Sequence, residues 1–138
     1  MKRPKKVMVF GTFDGIHDGH RHFLREAKKQ GEELIVAVSK DEVVQKLKNR
    51  KPARKITERI YDLKKEGLAD LIIEGDDEIH TWRAVEKIKP DIICLGYDQK
   101  ELEIALRSEL LRFSFDVVIK TIDSHRGNEL HSSLLNKN

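Results

Sequence analysis

Apolar residues in this chain come in short runs at regular intervals, alternating with stretches of helical period. Val7-Met8-Val9-Phe10 is rich in β-formers and breaks at Gly11, which predicts a first buried strand. Phe23, Leu24 and Ala27 then share one face of a helix over residues 19–30, with Gly31 as its stop. A second strand is predicted at 34–38, and Ser39 or Asp41 stands where a side chain would cap a short helix running to Leu47. Residues 49–56, with Pro52 among basic neighbours, predict an exposed loop. Thr57 is the expected cap of a helix carrying Ile60, Tyr61, Leu63 and Lys64 and closed by Gly67. Strand three follows at 71–73, a helix at 81–89 ended by Pro90, strand four at 92–95, a long helix at about 100–113 and strand five at 117–119.

The alternation of strand and helix predicts an α/β fold, and strands that are nearly unbroken apolar runs are covered on both faces. The expectation is a Rossmann-like, open, mainly parallel five-stranded sheet with helices on both faces and right-handed crossovers. With 138 residues and no repeat or linker, residues 1–138 read as one domain. In such sheets ligands bind outside the carboxyl ends of the strands, near a reversal of strand order. The unusual residues of this chain fall in those segments, at 11–20, 39–41, 74–77, 96–99 and 121–127.

Composition narrows the classes. Charged residues make up 37% and hydrophobic residues 38%, enough for a core under a charge-rich surface. No run of about 18 apolar residues exists, which excludes a membrane-spanning helix. The basic start leads into too few apolar residues for a signal peptide, and a single cysteine, Cys94, forms no internal disulfide. A cytoplasmic location is expected. The net charge of +3 does not by itself predict nucleic-acid binding. Its distribution is uneven: Lys46, Lys48, Arg50, Lys51, Arg54, Lys55 and Arg59 crowd one segment, and an acidic stretch follows. That segment reads either as a solvated surface or as a cationic loop closing over an anionic substrate.

Gly11-Thr12-Phe13-Asp14-Gly15-Ile16-His17-Asp18-Gly19-His20 places three glycines and two histidines between a strand and a helix. Glycines let the backbone approach a ligand closely, and the helix start favours phosphate through its N–H groups and dipole. His17 and His20, one helical turn apart, would both donate to oxygens of one polyphosphate. The segment is neither a dinucleotide fingerprint nor a P-loop. A zinc site from His17, His20 and His22 lacks a fourth ligand, because Cys94 lies inside a strand.

The G-T-F-D-x-x-H-x-G-H run resembles the signature of the cytidylyltransferase-like nucleotidyltransferases. Lys46-Leu47-Lys48-Asn49-Arg50-Lys51-Pro52, Ile88-Lys89-Pro90-Asp91-Ile92-Ile93, Leu95-Gly96-Tyr97-Asp98-Gln99 and His131-Ser132-Ser133 look most like the archaeal FAD synthase family. The resemblance implies transfer of AMP from ATP to FMN, giving FAD and pyrophosphate, with a divalent cation such as Mg accompanying ATP. It makes His17 and His20 the catalytic pair and puts the nucleotide on Thr12, Phe13, Asp18, Gly19 and Asp98. Lys46, Lys48, Tyr97, Ser132 and Ser133 become candidate phosphate or substrate contacts. Asp14 either orients the turn or faces the metal. ATP and FMN are the implied partners, with no membrane and no nucleic acid. Homodimers are common in that family, and Leu102, Ile104, Leu106, Leu110 and Leu111 exceed what one helix face needs.

Other readings stay open at this point. CTP-dependent transfer to glycerol 3-phosphate is disfavoured because the stretch 126–134 lacks the Arg-Thr start of the corresponding cytidylyltransferase motif. Adenylyl transfer to a lipopolysaccharide sugar belongs to the same reaction class. A non-catalytic nucleotide- or RNA-binding module would use the 46–59 basic segment, which has only Tyr61 nearby for base stacking. Trp82 is expected to pack on the sheet, and Cys94 to be inert.

Overall fold

The structure, a computed structural model, describes residues 3–123. Five strands, β1 (Lys6–Gly11), β2 (Glu33–Val38), β3 (Leu71–Glu74), β4 (Ile92–Gly96) and β5 (Val118–Ile122), form one sheet in the order β3-β2-β1-β4-β5. Every pairing is parallel. The helices are α1 (Asp18–Lys28), α2 (Asp41–Lys48), α3 (Ile56–Glu66), α4 (Arg83–Ile88) and α5 (Lys100–Glu109), followed by a tight turn at Leu110–Arg112.

Alternation along the inner strands sorts the core into two layers. Val7, Val9, Leu34, Val36, Val38 and Cys94 point to one face, where Leu24 and Ala27 of α1 and Leu63 of α3 cover them. Met8, Ile35, Ala37, Ile93 and Leu95 point to the other, under Trp82 and Val85 of the α4 region and Leu106 of α5. Helices on both faces of an all-parallel sheet are therefore the observed architecture. Among the described residues no helix is long and apolar enough to cross a membrane.

Several local expectations change. Gly31 is not the left-handed stop of α1, whose cap is Lys29 in right-handed conformation. It is a close-approach residue instead, since a Cβ there would lie 2.7 Å from Val7 Cγ2 and 2.9 Å from the Lys5 carbonyl. Neither Ser39 nor Asp41 caps α2. Lys40 holds that position without a side-chain bond, and Asp41 pairs with Arg59. Thr57 lies inside α3, whose first turn is closed by the Glu58 carboxylate accepting from the Lys55 N–H at 2.9 Å. The α3 stop is Gly67, at φ 70°. Helix α4 starts two residues late, because Trp82 takes φ 59° and the Asp76 carboxylate accepts from the N–H groups of Arg83 and Ala84. Strand β5 runs on through Lys120-Thr121-Ile122; as a sheet edge it alternates rather than being uniformly apolar.

Candidate active site

The sheet order reverses between β1 and β4, so the loops leaving these neighbouring strands diverge and leave a crevice. A cavity of about 1040 Å³ lies there. Thr12, Phe13, Asp14, His17, Gly19, His20, Lys48, Tyr97 and Asp98 line it. Asp18 and Lys46 are not among the lining residues; both are exposed, and Asp18 is engaged by Arg21 at 2.9 Å. Ser132 and Ser133 lie outside the described residues.

The two histidines are held by the backbone they precede. His17 is the N-cap of α1, and its Nδ1 accepts from the Gly19 N–H at 3.0 Å. His20 reaches back one turn, its Nδ1 accepting from the His17 N–H at 3.2 Å. A ring nitrogen that accepts a backbone N–H carries no proton, so the proton of each neutral imidazole sits on Nε2. Neither Nε2 makes a hydrogen bond among the described residues. The rings stack at 3.9 Å between centroids with 26° between planes, and Phe13 packs against His20 at 5.3 Å. Burial first, then the neighbouring His17, push His20 down to about 4. At neutral pH His20 is thus an uncharged N–H donor.

This packing accounts for the residue types of the loop. A Cβ on Gly19 would come within 2.9 Å of the His17 ring, and one on Gly11 within 2.6 Å of the Phe13 ring. Phe13 itself sits at φ 54° and is buried. Asp14 accepts from the N–H groups of Ala53 and Arg54 at 2.8 and 2.9 Å, so both carboxylate oxygens are committed to the backbone. It pins the 49–55 segment to the β1 loop. No cluster of three or more His, Cys, Asp or Glu side chains able to hold an ion occurs among the described residues.

Residue pattern, cavity and strand order all agree with one further observation: a sequence model of the cytidylyltransferase-like family matches residues 8–138. The chain belongs to the cytidylyltransferase-like family. An FAD synthase of Ferroglobus placidus is 42% identical over 130 residues, covering 94% of this chain and 83% of that protein. An FAD synthase of Thermococcus sibiricus is 39% identical over 112 residues, covering 80% and 76%. The crystal structure of a lipopolysaccharide core biosynthesis protein from Thermoplasma volcanium superposes with a TM-score of 0.72 at 33% identity, over 86% of this chain and 97% of that one.

In this cytidylyltransferase-like site the basic segment is divided. Lys48 and Arg50 reach the cavity, while Arg54 is tied to Asp62 at 2.7 Å. Arg59 is fully buried. Its guanidinium donates to the Thr12 carbonyl at 2.8 Å, to the Arg54 carbonyl at 2.9 Å and to Asp41 at 2.5 Å. In the sequence Arg59 belongs to a segment that reads as a solvated surface or a cationic loop, and in the fold it is neither. The signal against that was its spacing, three residues after Ile56 and four before Leu63, on the apolar face of α3. Gln99 was missed as well. Its side chain accepts from the Gly96 N–H at 2.8 Å and donates to the Phe10 carbonyl at 3.0 Å, clamping the β4 loop to the end of β1. Nothing near it in sequence announces a partner 89 residues away. Trp82 packs on the sheet as expected, 5% exposed, whereas Tyr97 is exposed at the cavity. Of the α5 leucines, Leu106 is buried and Leu102 and Leu110 are packed, which leaves Ile104 and Leu111 outward.

Proposed function

We infer that this chain is a nucleotidyltransferase that moves AMP from ATP to FMN, releasing FAD and pyrophosphate. The observation that carries the reading is the paired Nε2–H donors of His17 and His20 at the mouth of β1, in a chain whose relatives are FAD synthases. An oxygen of the FMN phosphate attacks the α-phosphorus of ATP; the bond from that phosphorus to the bridging oxygen breaks, and its electrons leave on pyrophosphate. The nucleophile is already an anion, so the site needs no general base. It must align two repelling polyanions and meet the charge that builds on the α-phosphate and the leaving group.

Two Nε2 donors aimed at one spot suit that task, because each can meet charge developing on a phosphate oxygen. Helix α1 adds the positive end of its dipole, and Arg21 offsets the Asp18 carboxylate that would otherwise oppose an anion there. Lys48 and Arg50 supply positive charge to the cavity. Asp98 on the loop after β4 lines the same cavity and would hold the nucleotide. We take the divalent cation to travel with the triphosphate as part of the substrate. Cys94, deeply buried with its thiol pushed up to about 11 by burial, suits a reducing cytoplasm.

The deciding experiment is a panel of ATP, CTP, GTP and UTP against FMN, riboflavin and glycerol 3-phosphate, followed by pyrophosphate release and product mass. Pyrophosphate and FAD from ATP with FMN are expected. Turnover confined to CTP with glycerol 3-phosphate would replace this assignment with a cytidylyl transfer.

A further inference from the structure

The cavity has two arms on either side of the histidine pair. By strand order, one is the lining from the ends of β4 and β5, with Tyr97, Asp98 and Ile122; the other is the lining from the ends of β2 and β3, with Ser39 and residues of the 75–82 loop. A reaction that joins two phosphates at the centre sends the two organic groups outward in opposite directions. With the nucleotide on the Asp98 side, the second arm is left for the acceptor.

That second arm is built as a platform. His80 and Trp82 lie parallel, with 5° between ring planes and 5.4 Å between centroids. Trp82 is anchored in the core, while His80 and Ile79 above it are exposed and line the cavity. Both His80 and Trp82 are non-glycine residues held in the left-handed region, at φ 60° and 59°. Such conformations persist only where the surroundings fix them, and they cluster at ligand sites. Here the Asp76 carboxylate caps the N–H groups of Arg83 and Ala84, and the Gly75 N–H bonds the Val38 carbonyl at 2.7 Å.

Charge decides what part of a ligand the arm takes. Asp76 and Glu78 line it, Glu74 and Asp77 belong to the same acidic stretch, and Lys40, ion-paired with Asp77 and 4.0 Å from Glu74, is already engaged. A phosphate would be repelled here, whereas a flat, neutral ring system loses nothing. Resting on the FMN reading above, we propose that the 75–82 loop seats the isoalloxazine of the acceptor, with His80 stacked on the flavin and Trp82 backing His80 from the core. The FMN phosphate then points away from the acidic loop, toward the histidines and Lys48.

The test compares wild type with His80→Asn, which accepts a left-handed φ but carries no ring, and with His80→Tyr, which restores an aromatic face. FMN binding is read by quenching of flavin fluorescence without ATP, and KM for each substrate is read in turnover. In His80→Asn, FMN binding weakens and KM for FMN rises by about tenfold, the usual weight of one stacking contact, while KM for ATP holds. His80→Tyr recovers most of the loss. Unchanged FMN affinity in a folded His80→Asn protein that still makes FAD overturns the flavin seat and leaves AMP transfer standing. A rise in KM for ATP instead of FMN reverses the two arms and equally overturns it. If the wild-type protein makes no FAD from ATP and FMN, the acceptor reading and the seat fall together.

Discussion

In each of the two histidines one ring nitrogen is spent on the helix and the other, in the proposed reaction, on the substrate, so the two tasks can be separated by substitution. Asparagine at position 17 keeps an acceptor over the Gly19 N–H, since it is among the best N-cap residues, but it has no atom where Nε2 was. His17→Asn is therefore expected to keep the melting temperature and to lose about 10²-fold in kcat, the weight of one transition-state donor. His17→Ala loses the donor and also about 1 kcal/mol of capping. Near wild-type turnover in the asparagine variant would leave His17 as a cap and nothing more. His20 adds a pH dependence. Its folded-state value near 4 lies below the ordinary value of 6.5, so below about 6.5 the unfolded chain takes up a proton that the folded one refuses. The contribution is fully present above pH 6.5 and drains away as pH falls toward 4. Melting scans from pH 7 to pH 4 should show a shallower decline in His20→Asn than in wild type; parallel declines would contradict the depressed value.

Helix α3 carries a device that its composition conceals. Its apolar residues Ile56, Ile60 and Leu63 face the sheet, and Arg59 goes in with them. A buried guanidinium is tolerated only when its nitrogens find acceptors, and here Nε, Nη1 and Nη2 each bind one: two backbone carbonyls and Asp41 at the start of α2. One of those carbonyls belongs to Thr12, so α3 and α2 together hold the β1 loop in place. Replacing Arg59 with Met fills the space but leaves these acceptors unpaired, a loss of about 2–3 kcal/mol in urea unfolding. The same variant should raise KM for ATP, since the Thr12–Phe13 turn loses its tether; a stability loss with KM intact would confine Arg59 to folding. The face of α3 was readable from spacing. The depth of burial and the Asp41 partner were not, because they depend on α2 and the β1 loop meeting α3 in space. For the same reason Asp41 looked like a cap: alone, an acidic residue at a helix start has no other visible use.

Across the whole chain, strand order sets where the cavity lies. Helical crossovers build β1, β2 and β3 outward in one direction, and the chain then returns to lay β4 on the other side of β1. That reversal puts segments some 80 residues apart in sequence, the His17–His20 turn and the Tyr97–Asp98 loop, on one cavity. The central strands also hold the fully buried core. Cys94 on β4 is fully buried, its thiol raised to about 11, so it is both inaccessible and protonated in the folded state. Labelling of Cys94 by a thiol reagent is expected to proceed only through global unfolding, with a urea dependence matching the equilibrium m-value. Rapid labelling in native buffer would place Cys94 outside the cooperative core.

Periodicity was enough for the alternation of strands and helices, the parallel sheet and the glycine-histidine turn, because each depends on neighbours within a few residues. The helix caps at Lys40 and Trp82, the tight fit of Gly31, the burial of Arg59 and the clamp by Gln99 had to wait for the folded chain. Each depends on atoms brought close from distant positions, and such contacts leave no local trace in the order of residues.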